Sequence, residues 1–156
     1  MSEVLSHKLA DLKECIERIR EDWRRPSDMP FEQDRVKRQL IIMNLQLAFQ
    51  NLLDMANHLV RVKQIGWPKN SAETFDLLEK DGLITAEMKT RLQAGMGMRN
   101  IMVHRYKKID LAKVKGVVEN HLDDLLDAGQ TLFRQGPKSI SSQTVPLDGD
   151  EPVKPG

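Results

Sequence analysis

Apolar residues recur every three or four positions along most of this chain, which is the period of an amphipathic α-helix. In the first segment these positions are Leu5, Leu9, Leu12, Ile16, Ile19 and Trp23, and they predict a helix over Ser2–Arg24. The same spacing predicts four further helices, over residues 31–65, 71–82, 86–103 and 111–133. The second helix is apolar over a wide arc, so we expect more than one neighbour to cover it, and its exposed part to suit a dimer.

Helix-breaking and capping residues separate these five segments. Two prolines in the sequence RRPSDMP end the first helix, and Gly66 and Pro68 end the second. Asn70, Thr85 and Asp110 each stand where a side-chain oxygen can cap the helix that follows. The sequence contains no strand pattern and no internal repeat. It therefore predicts an all-α fold, an antiparallel helical bundle of about five helices.

The composition agrees with one helical domain over residues 1–134, because 40% of the 156 residues are hydrophobic. Residues 135–156 are rich in Pro, Gly and Ser and predict a disordered tail. The single Cys15 excludes an intramolecular disulfide and falls on the apolar spacing of the first helix, so we interpret it as a small core residue. Neither a signal peptide nor a transmembrane segment is evident, which predicts a cytoplasmic protein with no membrane partner.

Positive charge is concentrated in one part of a chain whose net charge is only +1. Residues 86–116 carry eight basic side chains against two acidic ones, a local balance of +6. Such a patch is typical of a protein that binds a phosphate-bearing partner, although a solvated helix face has the same composition. Three basic residues directly after His104 are the candidate side chains for binding the phosphates of such a partner, for example RNA: Arg105, Lys107 and Lys108.

Several kinds of chemistry are disfavoured by the sequence. It has no H-E-x-x-H pattern, no cysteine pair and no acidic triplet at ligand spacing, so we expect neither a metal site nor a cofactor. Gly95 and Gly97 lack the Lys-Ser/Thr pattern of a phosphate-binding loop. Asp54 and His58 lie four residues apart and share a helix face, where they either orient a group in a site or form a polar contact between helices.

The stretch MRNIMVHRY, residues 98–106, holds Arg99, His104 and the only tyrosine, Tyr106. On a straight helix Arg99 and His104 point about 140° apart. They can meet on one ligand only if the helix ends or bends between them, or if a second chain completes the site. The basic run HRYKKID favours a helix end at that place. Asn100 would share a face with His104.

Histidine and arginine together suit metal-independent cleavage of RNA. Histidine transfers protons near neutral pH, and the guanidinium group holds phosphate through paired hydrogen bonds. A base takes the proton from the ribose 2′-OH, and an acid protonates the leaving 5′ oxygen. A symmetric dimer would supply a second histidine to the one in this motif. By itself, however, this spacing occurs in many helical proteins.

The sequence RNIMVHRY resembles the R-x-x-x-x-H-x-Y motif of HepT-like proteins, a branch of the HEPN superfamily. AFQNLLDMANHLV resembles the long central helix of that family, and FDLLEKDGLI its next helix and turn. The resemblance extends over roughly residues 5–130. It implies an all-α homodimer whose motif copies line a cleft at the dimer interface. The implied activity is that of a metal-independent endoribonuclease toxin from a type VII-like, MntA–HepT toxin–antitoxin system.

The resemblance also implies a role for each motif residue. Arg99 and His104 match the catalytic pair, and Asn100 matches a supporting polar residue. The family has the Asp-x-x-x-His pair that Asp54 and His58 form here. Tyr106 matches the tyrosine to which the cognate MntA-like nucleotidyltransferase antitoxin transfers AMP from ATP. Phosphate charge at that position would repel RNA.

The resemblance leaves open whether toxin and antitoxin assemble into a larger hetero-oligomer. Two alternatives to the ribonuclease remain at this point. One is a non-catalytic helical module that binds a nucleotide or protein and pairs with a nucleotidyltransferase. The other is a structural bundle in which Arg99 and Tyr106 are surface residues and His104 caps a helix carbonyl.

Overall fold

A computed structural model describes residues 2–137 of the chain. Within this range the backbone forms helices and no strand, which confirms the predicted all-α class. Two short 3₁₀ turns, Phe31–Gln33 and Tyr106–Lys108, lie between longer elements. The α-helices are α1 (Ser2–Arg24), α2 (Arg35–Lys63), α3 (Ser71–Lys80), α4 (Ala86–His104), α5 (Leu111–Asn120) and α6 (Leu122–Arg134).

Helix α2 is the centre of the bundle, and α1, α4 and α6 all pack against it. Helices α1 and α2 are antiparallel, because Lys8 of α1 contacts Asp54 of α2 whereas the α1 end, at Trp23, contacts Lys37. Every α-helix contributes apolar side chains to the core, in which leucine is the most frequent residue and isoleucine the next. These apolar side chains follow the helical spacing of the sequence, so their burial drives the helices together.

The three predicted N-caps are confirmed. The side chain of Asn70 accepts a hydrogen bond from the backbone N–H of Glu73, and Thr85 accepts one from Met88. Asp110 accepts from the first turn of α5. A fourth cap, Asp34, opens α2 in the same way. Each cap satisfies backbone donors that a helix N-terminus leaves without partners.

The second and fifth predicted helices differ from those observed. Residues 31–33 form a 3₁₀ turn anchored by the buried Phe31, and α2 begins only after the Asp34 cap. The last predicted helix is broken at His121, whose φ of −129° and ψ of 7° are not helical. The ring of His121 pairs with Asp124 in the first turn of α6. Residues 2–137 therefore form six α-helices rather than the predicted five.

Cys15 is buried, as predicted, and its burial raises the pKa of the thiol. The predicted tail begins with Gln135, which closes the last turn of α6 through backbone hydrogen bonds. From residue 138 onward, the predicted tail lies outside the described residues. Among the helices of residues 2–137, none combines the length and the apolar composition that a membrane span requires.

Candidate functional site

A chain of hydrogen bonds joins three helices at Arg99. The guanidinium Nε of Arg99 donates to Gln50 Oε1 at 2.8 Å, and Gln50 Nε2 donates to Asp54 Oδ1 at 2.7 Å. Lys8 of α1 forms an ion pair with the other Asp54 oxygen at 2.8 Å. Arg99 Nη1 also donates to Asn100 Oδ1 at 3.0 Å. The half-buried guanidinium is therefore held in a defined orientation, with donors left for a ligand.

The close approach of α4 to α2 makes this contact possible. Gly95 lies one turn before Arg99, and a Cβ added there would come within 2.8 Å of the ring of Phe49. Phe49 is buried and precedes Gln50 in the chain. Glycine at position 95 thus lets the two helices pack close together at the level where Gln50 must reach Arg99.

His104 lies at the other side of the same helix. Helix α4 ends at His104, one residue after the predicted end, and it is continuous from Arg99 to His104. Of the two ways in which these side chains could meet on one ligand, a helix end or bend between them is therefore excluded, and completion by a second chain stays open. On this continuous helix the two side chains point about 140° apart. The His104 side chain is exposed and forms no side-chain hydrogen bond or ion pair within residues 2–137. Asn100 lies on the same side of α4 as His104, as predicted.

Tyr106 follows in a turn rather than in the helix. Arg105 ends α4 with a φ of −138°, and Tyr106 opens the 3₁₀ turn Tyr106–Lys108. The helix does not persist, so Arg99 and Tyr106 do not share the helical face that their spacing would have given. The tyrosine side chain is 48% exposed. It is therefore accessible to a modifying enzyme.

The structure divides the positive patch into two parts. At the start of α4, Lys89 pairs with Asp76 and Glu79, and Arg91 lies within 4 Å of Glu87 and Asp124. At the end of α4 the charges are not neutralised in this way. Within residues 2–137 no carboxylate forms an ion pair with the exposed side chains of Arg105, Lys107 and Lys108. The uncompensated charge thus lies beside His104, where an anionic ligand would be attracted.

A groove adjoins this charged segment, between α4, the 3₁₀ turn and α5. Its apolar lining includes Met98, Ile101 and Ile109, and Lys108 and Lys113 contribute to its edge. The apolar side chains of the groove are suited to pack against a flat ring, and its lysines are suited to bind a phosphate.

Asp54 and His58 contact different side chains. Asp54 supports Gln50 and Lys8, as described above. His58 is buried, and its Nδ1 atom lies 3.2 Å from the guanidinium of Arg61. Asp54 therefore reaches the site through Gln50. Sequence reasoning missed Gln50 and Lys8, and the available signal for Gln50 was its position four residues before Asp54 on the same face.

Exposed apolar side chains lie on the helix faces that carry Gln50 and Arg99. Met43 and Leu47 of α2 precede Gln50 on its face of the helix, and they are 50% and 45% exposed. Val103 of α4 follows Arg99 by four residues, on the same face, and it is 40% exposed. Apolar side chains on the faces that flank a half-buried arginine resemble the centre of a protein interface more than an ordinary surface. The predicted wide apolar arc of the second helix is thus only partly covered within one chain.

Comparison with known proteins places this fold in a family. The family model described as Ribonuclease HepT-like matches residues 12–132. The chain belongs to the HepT-like family. The matched range contains the whole motif, Gln50 and Asp54, and it leaves out Lys8.

Two curated members of the HepT-like family are similar in sequence. The mRNA nuclease HepT of Shewanella oneidensis is 37% identical over 124 residues, which cover 80% of this chain and 92% of that protein. The tRNA nuclease HepT of Aphanizomenon flos-aquae is 31% identical over 80 residues, or 51% of this chain and 52% of that protein.

Solved structures agree with this assignment. The tri-AMPylated HEPN toxin of Shewanella oneidensis, in complex with its MNT antitoxin, superposes with a TM-score of 0.78 at 35% identity. The match covers 85% of this chain and 98% of that toxin. The cytosolic protein YutE of Bacillus subtilis shares only 16% identity at a TM-score of 0.70, so it supports the fold alone.

Proposed function

We propose that this chain is a metal-independent endoribonuclease toxin that acts as a homodimer, with Arg99 and His104 as its catalytic residues. One observation carries the proposal. Arg99 is held towards an open, apolar-rimmed surface by the Gln50 contact, whereas His104 projects from the far side of the same continuous helix. A second copy is then required to bring an arginine and a histidine to one phosphate. The names of the relatives, mRNA nuclease and tRNA nuclease, agree with an RNA substrate.

The proposed reaction uses groups that these side chains supply. His104 of one subunit takes the proton of the ribose 2′-OH as the oxygen attacks phosphorus, and His104 of the other subunit protonates the departing 5′ oxygen. Arg99 donates hydrogen bonds to the phosphorane oxygens, where negative charge develops. The products are a 2′,3′-cyclic phosphate and a free 5′-OH. Asn100 supports Arg99 through the bond at 3.0 Å, and Arg105, Lys107 and Lys108 hold the flanking phosphates.

Neutralisation is proposed to act at Tyr106. A nucleotidyltransferase antitoxin would transfer AMP from ATP to the exposed phenol oxygen, with release of pyrophosphate. The added phosphate would lie two residues from His104 and next to the Arg105, Lys107 and Lys108 cluster, which it would partly neutralise. The complex of a similar toxin with its MNT antitoxin supports this partner. Tyr106→Phe should therefore keep cleavage and escape the antitoxin, as measured by growth when both proteins are expressed.

The test of the activity is a cleavage assay on total tRNA and mRNA in the presence of EDTA. The wild-type chain, with Tyr106 shown by mass spectrometry to be unmodified, is expected to cleave and to leave 2′,3′-cyclic phosphate ends. His104→Ala should lower the rate by about a thousandfold, because a proton-transfer group is lost. Its fold should be unchanged, since the side chain is exposed. Absence of cleavage by the unmodified wild type would instead support the non-catalytic binding module.

A further inference from the structure

The loop between α2 and α3 presents a tryptophan to solvent. Trp67 is 96% exposed, whereas Trp23, the other tryptophan, packs against the ring of Phe31 at 5.2 Å between centroids. Tryptophan has the largest apolar side chain and is highly buried on average. A fully exposed indole therefore calls for a binding role or a disordered backbone.

The backbone around Trp67 is fixed rather than disordered. Gln64 adopts a left-handed conformation with φ of 54° and closes α2, and the N–H of Ile65 donates to the carbonyl of Val60. Gly66 has a φ of 152° and packs so closely on Leu77 that a Cβ would lie 2.7 Å from its side chain. These two features anchor the backbone just before Trp67. The exposed indole is therefore carried on an anchored segment of the chain.

The residues beside Trp67 are basic. Arg61 and Lys63 lie in the last turn of α2, and Lys69 follows Trp67 by two residues. In the part of the chain that the structure describes, none of these three cations forms an ion pair with a carboxylate. The nearby Glu73 accepts a hydrogen bond from the backbone N–H of Lys69. The Arg61 guanidinium contacts Nδ1 of His58, whereas Lys63 and Lys69 carry uncompensated charge within four residues of the exposed indole. An indole with such lysines beside it is suited to a base and its flanking phosphates.

We propose that Trp67 is a stacking site for a base of the RNA strand, outside the cleavage site. The proposal rests on the proposed ribonuclease function. Trp67 follows the C-terminal end of α2, whereas Gln50, which contacts Arg99, lies near the middle of that helix. Gln50 and Lys63 are separated by about 20 Å along the helix, which corresponds to roughly six stacked nucleotides. A strand longer than this could therefore reach beyond the cleavage site to Trp67, with Lys63 and Lys69 on its phosphates.

A protein partner fits this surface less well. Among the described residues, Val62 is the other large exposed apolar side chain at this end of α2, and it is 40% exposed. Two apolar side chains among three cations give too small an apolar area for the centre of a protein interface. Base stacking needs only one flat ring, and it tolerates any base sequence.

Binding to RNAs of two lengths tests the proposal. In the full-length His104→Ala protein, dissociation constants are measured by fluorescence anisotropy for a trinucleotide and for a single-stranded RNA of about 12 nucleotides. Adding Trp67→Ala should weaken binding of the longer RNA by about tenfold, whereas the trinucleotide should bind both proteins alike. Trp67→Phe should retain most of the affinity, because phenylalanine also stacks. Val62→Ala is the matched control and should bind like the parent.

Other outcomes overturn the proposal. Equal affinity of the Trp67→Ala protein and its parent for the longer RNA would exclude stacking. Loss of nucleotidyltransferase binding with unchanged RNA affinity would assign the surface to a protein partner instead. Whether the wild type cleaves RNA distinguishes a failure of this inference from a failure of the proposed function. An active enzyme with equal affinities refutes the stacking site alone, and an inactive protein with Trp67-dependent binding refutes the ribonuclease alone.

Discussion

The arginine and the histidine of one short motif lie in contrasting surroundings. Arg99 is half-buried and joined through Gln50 and Asp54 to Lys8, so that three helices fix its position. His104, five residues later, is exposed and has no side-chain partner among residues 2–137. One half of the site is thus preorganised within the chain, whereas the other half projects away from it. The contrast supports the proposal that a second copy completes the site.

Among variants that leave Arg99 and His104 intact, the largest effect is expected from breaking the surface where that second copy would bind. Leu47→Asp places a charge in the exposed apolar rim near Arg99, without disturbing the core, because Leu47 is 45% exposed. We expect a monomer whose RNA cleavage falls by about a hundredfold or more, since a proton-transfer partner is lost. Sedimentation equilibrium measures the loss of the dimer, and the cleavage assay measures the loss of activity in the same sample.

Met29→Asp is the control for this substitution. Met29 is similarly exposed, at 49%, but it lies in the loop between α1 and α2. This variant should remain dimeric and active. An active monomer of the Leu47→Asp protein would show that each chain completes its own site.

A smaller effect is expected when the support of Arg99 is removed. Gln50→Leu keeps the approximate size of the side chain but abolishes both the bond to Arg99 and the bond to Asp54. Because misplacement of a catalytic group by about 1 Å can cost about a hundredfold, we expect cleavage to fall ten- to a hundredfold. The dimer should persist.

Two matched variants sharpen this second prediction. Gln39→Leu makes the same change at an exposed position of α2, and it should leave cleavage unchanged. Gln50→Glu keeps an acceptor for Arg99 and should restore part of the activity. Full activity of Gln50→Leu would show that Arg99 needs no support from α2.

The smallest effect concerns the remote end of α2. Asp34 caps this helix, and hydrogen bonds from Ser27 and then from the Lys37 backbone lower the pKa of its carboxyl group. A carboxyl group whose pKa is lower in the folded state stabilises the fold above its unfolded pKa, and this contribution is lost as pH falls through the folded pKa. Asp34→Ala should therefore lower Tm at neutral pH.

Thermal unfolding followed by circular dichroism at several pH values measures this dependence. The difference in Tm between Asp34→Ala and wild type should shrink as the solution becomes acidic. A difference that stays constant down to strongly acidic pH would contradict an ionised cap. RNA cleavage at neutral pH should be nearly unaffected, since Asp34 lies far along the chain from the motif.

The helices could largely be predicted because apolar spacing, breakers and caps agree along most of the chain. The break at His121 could not, since the buried residues Val114, Val118, Leu122 and Leu125 continue at helical spacing straight across it. Periodicity therefore gives no sign of the interruption, which depends on the local backbone at His121. The start of α2 was missed for a similar reason, because Phe31 is apolar but belongs to a separate turn.

The motif residues could also be identified from the sequence, whereas their support could not. Gln50 lies 49 residues before Arg99, and Lys8 lies 46 residues before Asp54. Such contacts depend on how helices pack, and here on the close approach at Gly95. Trp67 stands in the sequence between the breakers Gly66 and Pro68, but its exposure is a property of the folded loop.

Mixing the wild type with an inactive variant is the most direct test of the central claim that the site is shared between two copies. Wild-type and His104→Ala subunits are allowed to exchange in equal amounts, and cleavage is compared with that of the same total concentration of wild type. Random exchange leaves a quarter of the dimers with both His104 side chains, so a site that needs both histidines predicts about a quarter of wild-type cleavage. About half of the wild-type cleavage, with mixed dimers verified by distinct tags, would contradict the shared site, because each chain would then act alone.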